Sequence, residues 1–147
     1  MPYNNEWRFR IKAVENDYRN LVCILDWFGP IAHKDPTVLP EGLRFSEINE
    51  IKKRLNGAYF VKQFAEFETA LRKYWELSRD THPKMRDLLD GIASDRKVPN
   101  DHLDDAHRVR TYRNILVHES DEKPEEISLG KAREYLCRFV AFLPSQW

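Results

Sequence analysis

The sequence has few of the features that staple a protein covalently or anchor it in a membrane. It contains only two cysteines, Cys23 and Cys137, and they do not form a CxxC pair. A zinc site or redox motif is therefore not supported, and both thiols are predicted to be buried and reduced, because each lies in an apolar helical pattern. No apolar run is long enough to cross a bilayer, and the N-terminal residues lack the apolar stretch of a signal peptide. We therefore expect a cytoplasmic protein without metal, cofactor or membrane contact.

Net charge is also absent, since 24 Lys and Arg residues balance 24 Asp and Glu residues. This balance argues against a protein that coats nucleic acid by bulk charge, although a local basic patch remains compatible with it. The 147 residues fit one domain over positions 1–147. A chain of this length buries enough apolar surface to fold without a disulfide or metal.

Apolar residues at helical spacing predict two long helices in the first half of the chain. The first runs from Glu6 to about Phe28 and ends at Gly29-Pro30, because proline disfavours helix at the preceding residue. A loop over residues 31–45 follows. Ser46 is predicted to cap the second helix, which has a break or kink at Asn56-Gly57 and ends near residues 79–80.

Three shorter helices are predicted in the second half. Pro83 opens one, Asn100 caps another that ends at Val117 or His118, and Ser128 caps the last, which Pro144 closes. No alternating strand pattern of useful length is present. The predicted fold class is therefore all-α, an up-and-down helical bundle of four to six helices.

The residues with the strongest chemical potential lie in the fourth predicted helix. Asn114 and His118 are four residues apart and share a helix face, whereas Arg113 lies roughly 140° from His118 on an ideal helix. Arginine binds phosphate through a bidentate, charge-assisted contact, and histidine exchanges a proton near neutral pH. With Asn114 either orienting the imidazole or holding a phosphate oxygen, this set suits cleavage of RNA by its own 2′-hydroxyl, which needs no metal.

The same side chains also fit structural roles. His118 suits a helix C-terminus, and Arg113 suits a surface ion pair. Arg108 and Arg110 form either a basic rim for RNA or a solvated face balanced by aspartates of the same helix. Glu66 and Glu68 on the second helix are candidates to pair with Arg113, or they are simply solvated.

The stretch from Arg113 to His118 resembles the Arg-(four to six residues)-His signature of the HEPN superfamily, which often has Asn directly after the Arg. The context is similar too, because a loop over residues 119–127 and a final helix from Ser128 follow the motif. The stretch Phe60–Leu71 resembles a long family helix that bears an acidic residue. Two positions depart from the pattern, since Glu119 replaces a commonly small residue and Ser120 stands where a subset has Tyr.

The resemblance implies a helical bundle that dimerises, with the two motifs meeting at a cleft between subunits. It implies a metal-independent endoribonuclease of a toxin–antitoxin or anti-phage system, with RNA as substrate and an antitoxin protein as a possible partner. By this resemblance, Arg113 would bind the phosphate, His118 would transfer the proton and Asn114 would support the geometry. Glu68 and Arg110 are possible supporting residues. The alternatives are a non-catalytic HEPN-like binding module, which Glu119 and the zero net charge favour, and a plain dimerisation domain.

Overall fold

The structure, a computed structural model, describes residues 4–118 and 121–147. Within these ranges it has five α-helices and one short 3₁₀ helix, and no β-strand element. In chain order they are α1 (Asn4–Lys34), the 3₁₀ helix (Pro36–Val38), α2 (Phe45–Glu76), α3 (Met85–Arg96), α4 (Asn100–His118) and α5 (Leu129–Val140). The predicted all-α bundle of four to six helices is confirmed. Among the described helices, none is both long enough and apolar enough to span a membrane.

The second helix, α2, is the centre of the bundle and packs against each of the other four helices. From Phe60 to Leu71 its apolar residues recur every three or four positions and form a buried side. The Phe67 ring meets Phe139 of α5 edge-on at 5.7 Å, and the Phe60 ring meets Tyr112 of α4 edge-on at 4.7 Å. These contacts set α4 beside the middle of α2, which positions the predicted motif.

The C-terminal residues close the bundle over the start of α1. The Asn4 side chain donates from Nδ2 to the Leu143 carbonyl at 3.0 Å, and Arg96 Nε donates to the Phe142 carbonyl at 2.8 Å. Trp147 is buried against the Tyr74 ring at 6.0 Å. Leu143 and Trp147 therefore belong to the packed core.

The first helix continues past its predicted end. It runs through Pro30 to Lys34, so the predicted stop at Gly29-Pro30 and the predicted loop over 31–45 are both wrong in extent. Proline removes one backbone donor. Packing nevertheless holds the last turn, because Ala32 is fully buried and the His33 ring lies 5.0 Å from Phe45 of α2.

The second helix starts one residue earlier than the predicted Ser46 cap. Arg44 precedes it, and its backbone N–H donates to Glu47 Oε2 at 2.7 Å. The predicted break at Asn56-Gly57 is wrong, since α2 is continuous to Glu76. Leu116 of α4 packs beside Gly57, with its Cδ2 4.0 Å from where a Cβ would lie. Tertiary packing therefore supports the helix at the glycine that predicted a break.

Ser128 caps α5 as predicted, with its Oγ accepting from the Lys131 N–H at 3.1 Å. Cys137 is buried as predicted, and burial raises the pKa of its thiol. Cys23 is exposed, which contradicts the prediction. The fully buried residues of α1 lie mainly in its first half, at Asn4, Trp7, Ile11 and Val14, with Ala32 near the end. Cys23 therefore lies on a stretch that its neighbours cover incompletely.

Candidate functional site at the end of α4

The fourth helix carries all the residues of the predicted motif. Its buried side consists of Ala106, Val109 and Tyr112, which face α2 and α5. Because Arg110, Asn114 and His118 follow at intervals of four, they occupy successive turns of one side of α4. Arg110 and Asn114 are half-buried, and His118, the last residue of α4, is exposed.

Arg113 lies against α2. Its Cζ is 5.7 Å from the centroid of the Phe64 ring, and its Nη1 donates to Asn114 Oδ1 at 3.1 Å. Its Nε is buried and has no hydrogen-bond partner among the described residues. The structure therefore brings together two of the three predicted catalytic residues, Arg113 and Asn114.

The imidazole of His118 is not part of that contact. Arg113 is held against Phe64, whereas His118 is exposed five residues further along a regular helix. Within the described residues, His118 forms no hydrogen bond with Arg113 or Asn114. In one chain, therefore, the described contacts join the guanidinium to Asn114 and not to the imidazole.

The arginines of α4 differ in their acidic partners. Arg108 pairs with Asp105 at 3.4 Å and with Glu125 at 3.2 Å, and Glu125 is the largest cause that raises the pKa of Arg108. In the part of the chain that the structure describes, neither Arg110 nor Arg113 has a carboxylate partner, and the Nε of each is buried without a hydrogen bond. The charge of Arg108 is thus neutralised by carboxylates on a solvated face. The charges of Arg110 and Arg113 are not neutralised by any carboxylate among the described residues.

The acidic residues of α2 are engaged elsewhere. Glu68 Oε1 accepts from Arg72 Nη2 at 2.7 Å and from Arg72 Nε at 2.9 Å. Glu66 lies 3.9 Å from Arg10 Nε. The predicted pairing of either glutamate with Arg113 is therefore wrong. Arg72 lies one turn along the same helix and pairs with Glu68, and Glu66 lies beside Arg10.

Two grooves flank the motif on α4. One, of about 410 Å³, lies between α4 and residues 124–127, and His107 at its wall contacts Asp90 Oδ1 through Nε2 at 2.7 Å. The other, of about 620 Å³, lies between α2 and the last turns of α4 and includes Lys53, Arg54 and Leu116. The adjacent basic residues Lys53 and Arg54 are evident in the sequence. Their position beside the motif, however, depends on how α2 and α4 pack.

Tyr112 forms the floor shared by both grooves. Burial, and secondly the charge of Glu126, raise the pKa of its hydroxyl. Glu119 and Ser120, the two positions that depart from the family pattern, lie outside the described residues.

No protein-family model, curated protein or solved structure matches the chain. A functional assignment therefore depends on the geometry of α4 and on the resemblance of the sequence motif.

Proposed function

We propose that this chain is a metal-independent endoribonuclease of the HEPN type, a cytoplasmic toxin or anti-phage effector that acts as a homodimer. RNA is its substrate, and an antitoxin protein is its expected partner. The observation that carries the proposal is the pair of half-buried arginines, Arg110 and Arg113, which have no carboxylate partner among the described residues and lie on the same helix as the exposed His118.

A guanidinium that is partly buried without an anion is unfavourable, because desolvation is not repaid by pairing. A phosphate group would supply the missing acceptors through bidentate contacts. The hydrogen bond from Arg113 Nη1 to Asn114 Oδ1, at 3.1 Å, orients this guanidinium. Binding a phosphate would therefore cost little further ordering of the Arg113 side chain.

The reaction is intramolecular transfer at phosphorus. The 2′-oxygen attacks the adjacent phosphorus, the bond from phosphorus to the 5′-oxygen breaks, and a 2′,3′-cyclic phosphate forms. The imidazole of His118 accepts the proton of the 2′-hydroxyl, and solvent donates a proton to the leaving 5′-oxygen. Arg113 binds the non-bridging oxygens, whose charge increases in the transition state.

The resemblance to HEPN domains implies that two chains share each site, and the helix geometry is compatible with this. Five residues of α-helix separate Arg113 from His118 by roughly 140° and about 7.5 Å along the axis. Since Arg113 is held against Phe64, the guanidinium of one chain and the imidazole of the other would complete a site.

The decisive test is cleavage of single-stranded RNA by purified protein in the presence of EDTA. His118→Ala and Arg113→Ala are each expected to reduce the rate by at least about a hundredfold, because each removes a group that acts on the reacting phosphate. The control substitutions are His82→Ala and Arg108→Ala, which remove an exposed imidazole and a guanidinium that is already ion-paired. Equal loss in the controls, or no cleavage by the unmodified chain, would refute the nuclease assignment.

The composite site has its own signature. A mixture of the Arg113→Ala and His118→Ala chains contains heterodimers with one intact site, so roughly a quarter of the original activity should return. If each site were built from one chain, mixing would restore nothing.

A second candidate is a non-catalytic binding module that holds an anionic ligand at Arg110 and Arg113. The absence of a hydrogen bond between His118 and either Arg113 or Asn114 among the described residues favours it. It predicts that RNA or a nucleotide binds without being cleaved. Binding would then depend on Arg113 and be unaffected by His118→Ala.

A further inference from the structure

The outer side of α1 leaves a group of large apolar side chains exposed. Ile24, Trp27 and Ile31 are exposed by 59%, 70% and 38%. They follow at spacings of three and four residues, so they lie on one side of the helix. A contiguous apolar strip on the solvent-facing side of a helix marks a surface for association.

This strip is the middle of a longer pattern, which we name the outer stripe. Its six members alternate in spacing between three and four residues and are all exposed: Asp17, Asn20, Ile24, Trp27, Ile31 and Lys34. That alternation is the heptad spacing of helices that pack side by side. The outer stripe starts with an acid and ends with a base, and between them lie Asn20 and the three apolar residues.

We infer that the outer stripe is a self-association surface on which α1 packs antiparallel against α1 of a second copy of the chain. Reversing the order of the stripe places Asp17 opposite the partner's Lys34 and Ile24 opposite the partner's Trp27. A two-fold axis repeats each of these contacts, so the dimer has two ion pairs, one at each end, and an apolar centre.

A second copy fits the stripe because the stripe is complementary to itself. Within residues 4–118 and 121–147, neither Asp17 nor Lys34 forms an ion pair, so both charges are available to a partner. The stripe is about 26 Å long at the rise of an α-helix, which suits a small, concentration-dependent interface rather than an obligate one.

This contact goes beyond the proposed nuclease and does not depend on it. The outer stripe lies on α1, whereas the proposed catalytic residues lie on α4. A chain that used both surfaces would assemble beyond a dimer. Loss of the α1 contact would halve the mass of the assembly, while His118→Ala would leave the mass unchanged.

The first experiment compares Ile24→Asp with Leu77→Asp by sedimentation equilibrium of the full chain over a range of concentrations. The two side chains are nearly equally exposed, at 59% and 61%, and Leu77 is not part of the outer stripe. Ile24→Asp introduces two carboxylates into the apolar centre of the dimer. It should weaken association by at least about a hundredfold and halve the mass. Leu77→Asp should leave the mass unchanged.

The second experiment tests the antiparallel register through the terminal charges. Asp17→Lys and Lys34→Asp should each weaken association by about tenfold, because like charges then face one another at both ends. The double variant should restore it, and added salt should reduce all these differences. Circular dichroism of each variant checks that the monomer is folded, since an acid at the end of α1 is unfavourable to the helix.

Either of two results would overturn the inference. The unmodified chain could show no association through α1, so that Ile24→Asp leaves its mass unchanged at every concentration. Alternatively, the double charge variant could fail to recover the association that each single variant loses, which would exclude the antiparallel arrangement.

Discussion

Adding one methyl group to α3 at Gly91 should destabilise the protein, although the same change is favourable in most helices. Alanine in place of glycine within a helix stabilises it by about 0.5–1 kcal/mol. At Gly91 a Cβ would lie 2.8 Å from two carbons of the Trp75 ring. Something must move, and forcing extra atoms into a packed site costs about 1–3 kcal/mol.

The Trp75 ring cannot move away without losing contacts. Its Nε1 donates to Thr81 Oγ1 at 3.0 Å, and Arg79 stacks on the ring with Cζ 4.0 Å from the centroid. We therefore expect Gly91→Ala to destabilise the fold by up to about 2 kcal/mol, which is the overpacking cost less the helix gain.

Gly57 in α2 is the matched control. A Cβ there would meet only Leu116 Cδ2, at 4.0 Å, which is an ordinary contact. Gly57→Ala should therefore stabilise the protein by about 0.5–1 kcal/mol. Urea unfolding followed by circular dichroism gives both free energies, provided the slope m is unchanged.

A double-mutant cycle identifies the cause of the effect at Gly91. In a Trp75→Leu background the clash is removed, so Gly91→Ala should become stabilising there. If Gly91→Ala stabilises the unmodified protein as much as Gly57→Ala does, the explanation from the fixed Trp75 ring is refuted.

Three further predictions concern a helix cap, a strained backbone position and a buried thiol. Ser128→Ala should lower the free energy of unfolding by about 1 kcal/mol, because the backbone N–H of Lys131 loses its hydrogen-bond acceptor. An unchanged urea midpoint would contradict this. Lys97 has φ of 53° and ends α3 in a left-handed conformation, so Lys97→Gly should raise the thermal midpoint, whereas a fall would show that the conformation is not strained. Burial raises the pKa of Cys137, so above about pH 9 the unfolded chain releases this proton before the folded chain does. Stability should therefore fall as pH rises through that range, less steeply in Cys137→Ala. A thiol reagent should modify the exposed Cys23 at once and Cys137 only on unfolding.

Local sequence signals predicted those elements whose ends are set by a side chain nearby. The start of α5 is an example, because the hydroxyl that caps it belongs to Ser128 itself, three residues before the N–H it binds. The end of α1 is the opposite case. Pro30 signals a stop, yet the last turn persists because of contacts with residues that come later in the chain, such as the ring contact between His33 and Phe45.

The candidate site likewise has features that the sequence predicted and features that only the packing of the helices shows. The resemblance of the motif selected Arg113, Asn114 and His118, and helix periodicity put Asn114 and His118 on one side of α4. The i,i+4 spacing of Glu68 and Arg72 signals their ion pair in the sequence, and that signal was not used. The position of Arg113 against Phe64 could not be predicted, because it depends on how α4 packs on α2. The basic groove with Lys53 and Arg54 was also missed, since it exists only where α2 meets α4.

By itself, the sequence determined that this protein is all-helical, since apolar residues at helical spacing need only the chain's own geometry to define a buried side. Only the tertiary structure decided which of these sides are covered. Cys23 and Cys137 both lie in apolar helical patterns, yet Cys23 is exposed and Cys137 is buried. Burial depends on whether another helix packs there, and packing is a property of the whole assembly of helices rather than of any one segment.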